Sequence, residues 1–199
     1  MNARTTALSA LIAMRRQNAW ADGALKEAAA RARLDRRDAA LAARLLYGVV
    51  QNRMLLDFYL AQAVASPLAK LQPVVLDILR LGAYQILFLD KIPVSAAVNE
   101  AVEQTKAYAN KRAAGLVNGS LRTLARRKGE LEQPHDLATK YSHPQPLVDC
   151  LRASMDEETL GAFLAANNDT PRTAMQVNPL KASAEQVTAA LDEAGIAYE

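Results

Sequence analysis

Apolar residues recur along the chain at the three- and four-residue spacing of amphipathic helices. Over residues 3–17, Leu8, Leu11 and Ile12 share one face, with Arg4 and Arg15 in line with it. This pattern predicts a first helix whose stripe ends in two arginines that turn their heads outward. Residues 22–33 predict a short second helix. Leu41, Leu45, Leu46, Val49 and Val50 stripe a third, opened by Asp35 as N-cap with Asp38 three residues on. Gly48 and Gln51-Asn52 mark a place where that stretch can divide in two. Ser66-Pro67 is a break. Residues 72–89 are apolar nearly all round, which predicts a central helix enclosed by others. Pro73 fits its first turn, where a missing N–H costs little. Val94, Val98, Ala101, Val102 and Thr105 mark a helix starting near Pro93, and residues 111–128 mark the next. Seven helices joined by loops of about 2–8 residues describe a bundle.

The text changes after residue 128. Residues 129–143, "GELEQPHDLATKYSH", have little apolar periodicity and read as a linker. Residues 144–168 suggest two short helices, the second opening near Met155-Asp156. "TPRTAMQVNP" reads as a strand, Ser183 to Gly195 as a capped helix, and "IAYE" as a second strand begun. Two strands with nothing beside them do not close a β-α-β unit. The expectation is a helical domain over 1–128, a linker over 129–143 and an incomplete α/β segment over 144–199. That segment would be completed by another chain or by a longer protein.

Composition supports helix, with 51% apolar residues, 8 Gly and 8 Pro in 199. There is no apolar run near ~18–20 residues, so no membrane span is expected. The N-terminus lacks a secretory pattern, and a single cysteine, Cys150, suits a reducing cytoplasm. The net charge of +3 hides a split. Residues 1–133 carry 20 Lys and Arg against 11 Asp and Glu, and residues 134–199 carry 4 against 10. The basic part is suited to a polyanion.

Enzyme motifs are lacking. No Gly-rich phosphate loop occurs, and His135, His143 and Cys150 lack metal-ligand spacing. Cys150 shares a helical stripe with Leu147 and Leu151, which predicts a buried thiol. Asp156, Glu157 and Glu158 complement a helix N-terminus.

What survives is one basic face. In residues 111–128, Ala113, Leu116, Val117, Ser120, Leu121 and Leu124 fill one arc. Lys111, Arg112, Arg122 and Arg126 fill the opposite arc, with Gly115 and Gly119 between them. Cations on a rigid exposed surface are what phosphate contact needs, and the Arg fork suits it. The glycines either let an outside backbone come close or seat a neighbouring helix, and spacing alone favours the second. Arg15-Arg16, Arg31, Arg33, Arg36 and Arg37 add to the binding reading if the bundle gathers them on one side.

The segments "LRLGAYQ", "PVSAAVNEAVE" and "AAGLVNGSLR" resemble the most distinctive parts of the NusB-like domain that opens the Sun/RsmB methyltransferases. "ARTTALSALIAM" and "RDAALAARLLYGVVQNR" match that domain's start, and "YSHPQPLV" and "TAMQVNPLK" resemble the segment leading into the methyltransferase domain. The antitermination factor NusB shares the fold but ends after the bundle. Gln176 stands where that family usually has Arg. The resemblance implies a NusB-like seven-helix bundle that docks a 16S rRNA (cytosine-C5) methyltransferase on its RNA. It also implies S-adenosylmethionine and two catalytic cysteines beyond residue 199, so no catalysis is expected from these residues alone. The RNA contacts expected are Arg4, Arg15, Arg16, Lys111, Arg112, Arg122 and Arg126, with Asn99 and Asn118 as packing or tethering groups. Two alternatives stand beside RNA binding: a protein-interaction module of NusB type, and a scaffold for the catalytic domain.

Overall fold

Helix starts follow local chemistry. Asn2, Asp35 and Asn110 sit in extended backbone, and their side-chain oxygens accept the N–H three residues on. These caps open α1 (Ala3–Gln17), α3 (Arg36–Gln51) and α7 (Lys111–Arg126). Between them lie α2 (Ala21–Ala32), α4 (Arg53–Ala61), α5 (Pro73–Phe88) and α6 (Val94–Tyr108). The computed structural model describes residues 2–169 and 174–199.

The seven-helix reading holds up to Arg126. Asn52 divides α3 from α4, and Pro73 occupies the first turn of α5. The apolar perimeter of α5 is used on all sides, because α1, α3, α4, α6 and α7 all pack on it. Leu8, Leu45, Leu46, Leu56, Leu60, Ile78, Leu79, Leu121 and Leu124 are fully buried around it. Each is worth roughly 1.5–3 kcal/mol in water-excluded area. Two glycines permit the closest approaches. A Cβ on Gly48 would overlap the Tyr84 ring, and one on Gly82 would lie 2.5 Å from Leu121 Cδ1.

Residues 129–143, read above as a linker, pack against the bundle. Leu131 is buried in the main core, and Tyr59 Oη donates to Gln133 Oε1 at 2.7 Å. Then come α8 (Leu137–Tyr141), α9 (Gln145–Arg152) and α10 (Glu157–Asn167). Ala138, Val148, Leu160 and Leu164 form their small core, which Met54 of α4 joins. Ser142, in the left-handed region at φ 56°, accepts the Leu55 N–H on its hydroxyl. One compact unit therefore runs to Asn168.

Two expectations need correction here. Cys150 is exposed, because α9 buries Val148 and only half-buries Leu151. The second unit, residues 169–199, carries α11 (Ala184–Glu193), opened by a reciprocal Ser183–Gln186 capping box and followed by Gly195 at φ 65°. Residues 170–173 of the expected strand lie outside the described residues. The described parts of both expected strands, 174–178 and 196–199, are not paired as strands. A strand is defined by its ladder, and neither segment has one among the described residues.

Candidate nucleic-acid interface

The two-faced helix of the sequence is α7. Its inner face buries Ala114, Val117, Ser120, Leu121 and Leu124 against α5 and α6. Its outer face exposes Lys111, Arg112, Gly115, Gly119, Arg122 and Arg126. The Asn110 cap holds the first turn, so Lys111 and Arg112 project from ordered backbone. Arg122 Nε donates to Asn118 Oδ1 at 2.9 Å, one turn earlier. Asn118 is half-buried and holds Arg122 through this bond, and Asn99 is exposed. Among the described residues, none of the four cations has a carboxylate partner.

Gly115 and Gly119 seat no neighbouring helix among the described residues, contrary to the expectation from spacing. A Cβ built on either meets nothing within 4 Å. No internal packing asks for a missing side chain at these positions, and the wall they lower faces outward.

The arginines of α1 behave differently from the expectation. Arg4 turns inward, its Nε donating to Oε1 of buried Gln85 at 2.6 Å. Arg15 also turns to α5, with Nε 3.1 Å from Oδ2 of Asp77. Asp77 is only 5% exposed and also faces Arg80, which itself holds Asp57 through two bonds of 2.7 Å. The outward heads were expected from the stripe alone, and the polar partners on α5 reverse them. Arg15 remains about one-third exposed, with its terminal nitrogens uncommitted among the described residues. Arg16 is exposed and, among the described residues, unpaired, on the side of α1 that faces Glu27 and Arg31 of α2. The seven expected contacts therefore divide between two helices that each pack on α5. The four on α7 share one open face.

Arg44 and Arg53 are exposed and, among the described residues, have no partner; sequence spacing does not mark them. Neither adjoins a basic run, so periodicity gives no signal for them. Buried His143 has Nδ1 2.8 Å from Tyr141 O and Nε2 2.8 Å from Asn167 Nδ2. Both ring nitrogens are thereby occupied in packing α8 against α10. Among the described residues no group of three or more His, Cys, Asp or Glu is arranged to hold a metal, and no helix is long and apolar enough to cross a membrane.

Comparison with known proteins bears on what this face meets. Residues 1–126 match the model of the NusB family, and residues 143–199 match the model described as "Methyltr_RsmF/B-like, ferredoxin-like domain". The chain is 33% identical over 201 residues to "Probable ribosomal RNA small subunit methyltransferase B" of Bacillus subtilis (strain 168). That alignment covers 98% of this chain and 45% of the relative, so the chain spans less than half of the relative's length. The structure is similar to T. maritima NusB, with a TM-score of 0.57 at 26% identity, over 65% of this chain and 95% of that one. It is also similar in fold to the crystal structure of PH0851, with a TM-score of 0.67 at 18% identity, over 96% of this chain and 44% of that one.

Proposed function

Because the chain belongs to the NusB family, we propose that its helical bundle is an RNA-binding module that docks a ribosomal RNA methyltransferase on 16S rRNA. The observation that carries this reading is the outer face of α7. Among the described residues, Lys111, Arg112, Arg122 and Arg126 are exposed without carboxylate partners, and Gly115 and Gly119 leave the helix backbone open between them. Such a surface neutralises phosphates and admits a sugar-phosphate chain close to the helix. The name of the Bacillus subtilis relative supports ribosomal RNA as the polyanion. On α1, Arg16 and the terminal nitrogens of Arg15 that Asp77 leaves uncommitted offer further cations, whereas Arg4 is held inward by Gln85.

In this reading the chain contributes docking. Methyl transfer from S-adenosylmethionine is a function of the whole protein, and no residue of this chain is assigned to the methyl donor. The place of action is the cytoplasm, where ribosomal RNA is handled.

An RNA titration at two salt concentrations tests the reading. The chain is expected to bind with an affinity that falls steeply as salt rises. Arg122→Glu/Arg126→Glu is expected to flatten the slope of log affinity against log salt by more than about one unit, at roughly 0.7 per phosphate on a single strand. Unchanged affinity and slope in that variant, with loss of a protein partner, would favour the protein-interaction reading. Absence of RNA affinity at ~50 mM salt would favour the scaffold reading.

A further inference from the structure

Among the described residues, one aromatic side chain stands out as almost wholly exposed. Trp20, the chain's single tryptophan, is 88% exposed, and its position before α2 carries no side-chain cap bond. An indole buries more apolar area than almost any other side chain, so leaving it in water forgoes a large gain. The chain reaches it through Asn18, in the left-handed region at φ 52°, and Ala19. Those two residues line a cavity of about 510 Å³.

The cavity has an apolar lining from Leu11, Val49, Val50 and Met54, and a charged one from Arg15, Arg53, Arg80 and Asp77. Three guanidinium groups thus surround one carboxylate. Arg80 is committed to Asp57 and Asp77, and Arg15 to Asp77 through Nε only. Arg53 is exposed and has no hydrogen bond or ion pair among the described residues. Tyr47, one helical turn before Val50, is also exposed, and its hydroxyl donates to Asp22 in the first turn of α2. That bond sets a second aromatic ring beside the turn that Trp20 opens. The volume falls within the range of small-molecule sites.

We propose that this cavity and Trp20 together hold one unstacked nucleotide of single-stranded RNA. The base stacks on the indole, which follows the cavity-lining Ala19 in the chain, and its phosphate is held by Arg53 and the terminal nitrogens of Arg15. The proposal rests on the RNA-binding reading and adds a second contact, away from the outer face of α7. Charge selects the occupant. An unpaired arginine and an excess of guanidinium over carboxylate favour a polyanion, and an open indole favours a base whose face is free. A duplex offers phosphates but no free base face.

The single tryptophan makes the contact directly readable. The 199-residue chain is titrated with a single-stranded oligoadenylate of about 12 nucleotides, with a duplex of the same length, and with inorganic polyphosphate. The expected result is quenching of the Trp20 emission along the binding curve of the single strand only. Trp20→Ala is expected to weaken single-strand binding by ~5- to ~150-fold, the range for one base stack. Trp20→Phe should restore most of it, and polyphosphate affinity should not respond to either change. Arg53→Glu should weaken both the single strand and polyphosphate. The proposal is overturned if the single strand binds, and Arg122→Glu/Arg126→Glu weakens it, while the emission stays constant and Trp20→Ala binds like the parent. In that case the α7 reading stands alone. It is equally overturned if the duplex quenches as strongly as the single strand. If no RNA binds at low salt, both readings fall together. Trp20 is exposed, so its variants should keep the parent far-ultraviolet circular dichroism.

Discussion

At the scale of single residues, the glycines of α7 present a cost without an internal return. A glycine inside a helix is about 1 kcal/mol less favourable than alanine. Gly115 and Gly119 both carry that cost, and a Cβ on either would touch nothing. Gly115→Ala/Gly119→Ala is therefore expected to raise the unfolding free energy by up to about 2 kcal/mol in urea denaturation. The same two methyl groups stand between the helix backbone and an approaching phosphate chain, so RNA affinity should fall. Gly48→Ala should act with the opposite sign, because its Cβ would overlap the Tyr84 ring. Overpacking of that kind costs roughly 1–3 kcal/mol. A double alanine variant that is more stable and binds RNA like the parent would separate the glycines from binding. The glycine spacing was visible in the sequence, but which side of α7 faced a neighbour was not. The same limit applied to Arg4 and Arg15. Their partners on α5, Gln85 and Asp77, lie 81 and 62 residues away in the chain. Periodicity along one helix cannot report a partner on another.

At the scale of elements, apolar spacing and caps were enough to place α1 to α7, because each of these helices buries a continuous stripe. They did not place α8. It is five residues long and contributes buried Ala138 to a core built mainly by α9 and α10. Both α8 and α10 open on an aspartate cap, and these caps titrate. Asp136 Oδ1 accepts the Thr139 N–H at 2.7 Å, and Asp156 Oδ1 accepts the Thr159 N–H at 2.9 Å. The backbone N–H of Thr139 holds the Asp136 carboxyl below its ordinary value, and that of Thr159 does the same for Asp156. A carboxyl lowered in the folded state binds its proton more readily when unfolded. Its stabilising share is complete above the ordinary aspartate range and is lost as pH falls through the folded value. The urea midpoint should therefore drop between pH ~5 and pH ~2, as carboxylate linkage requires. Asp136→Asn/Asp156→Asn keeps both acceptors without a titrating proton, so the drop should become shallower. An equally steep profile in the double variant would place the acid sensitivity on other carboxylates.

At the scale of the whole molecule, the basic-to-acidic change near residue 133 does not coincide with the structural boundary. Charge composition follows what a surface meets, whereas a structural unit follows what its core encloses. Leu131 lies in the main core, Glu132 N donates to Gln62 Oε1 at 2.9 Å, and Met54 of α4 joins the core of α8 to α10. A chain ending at Asn168 keeps all of these, together with every residue assigned to RNA. It is expected to unfold with a midpoint close to that of residues 1–168 in the full chain, and to bind the single-stranded oligonucleotide with the same affinity. A chain ending at Lys128 loses Leu131, the Tyr59–Gln133 bond and the cover over Met54 and the Leu55 N–H. Loss of the leucine alone should cost about 2 kcal/mol of unfolding free energy. It should also retain the outer face of α7 while losing Ser142 and Pro144 from the wall of the Arg53 cavity. Its RNA binding should consequently keep the response to Arg122→Glu/Arg126→Glu and lose part of the response to Trp20→Ala. Equal stability in the two truncated chains would mean that residues 129–168 only rest on the bundle, and the boundary would then belong where the charge changes.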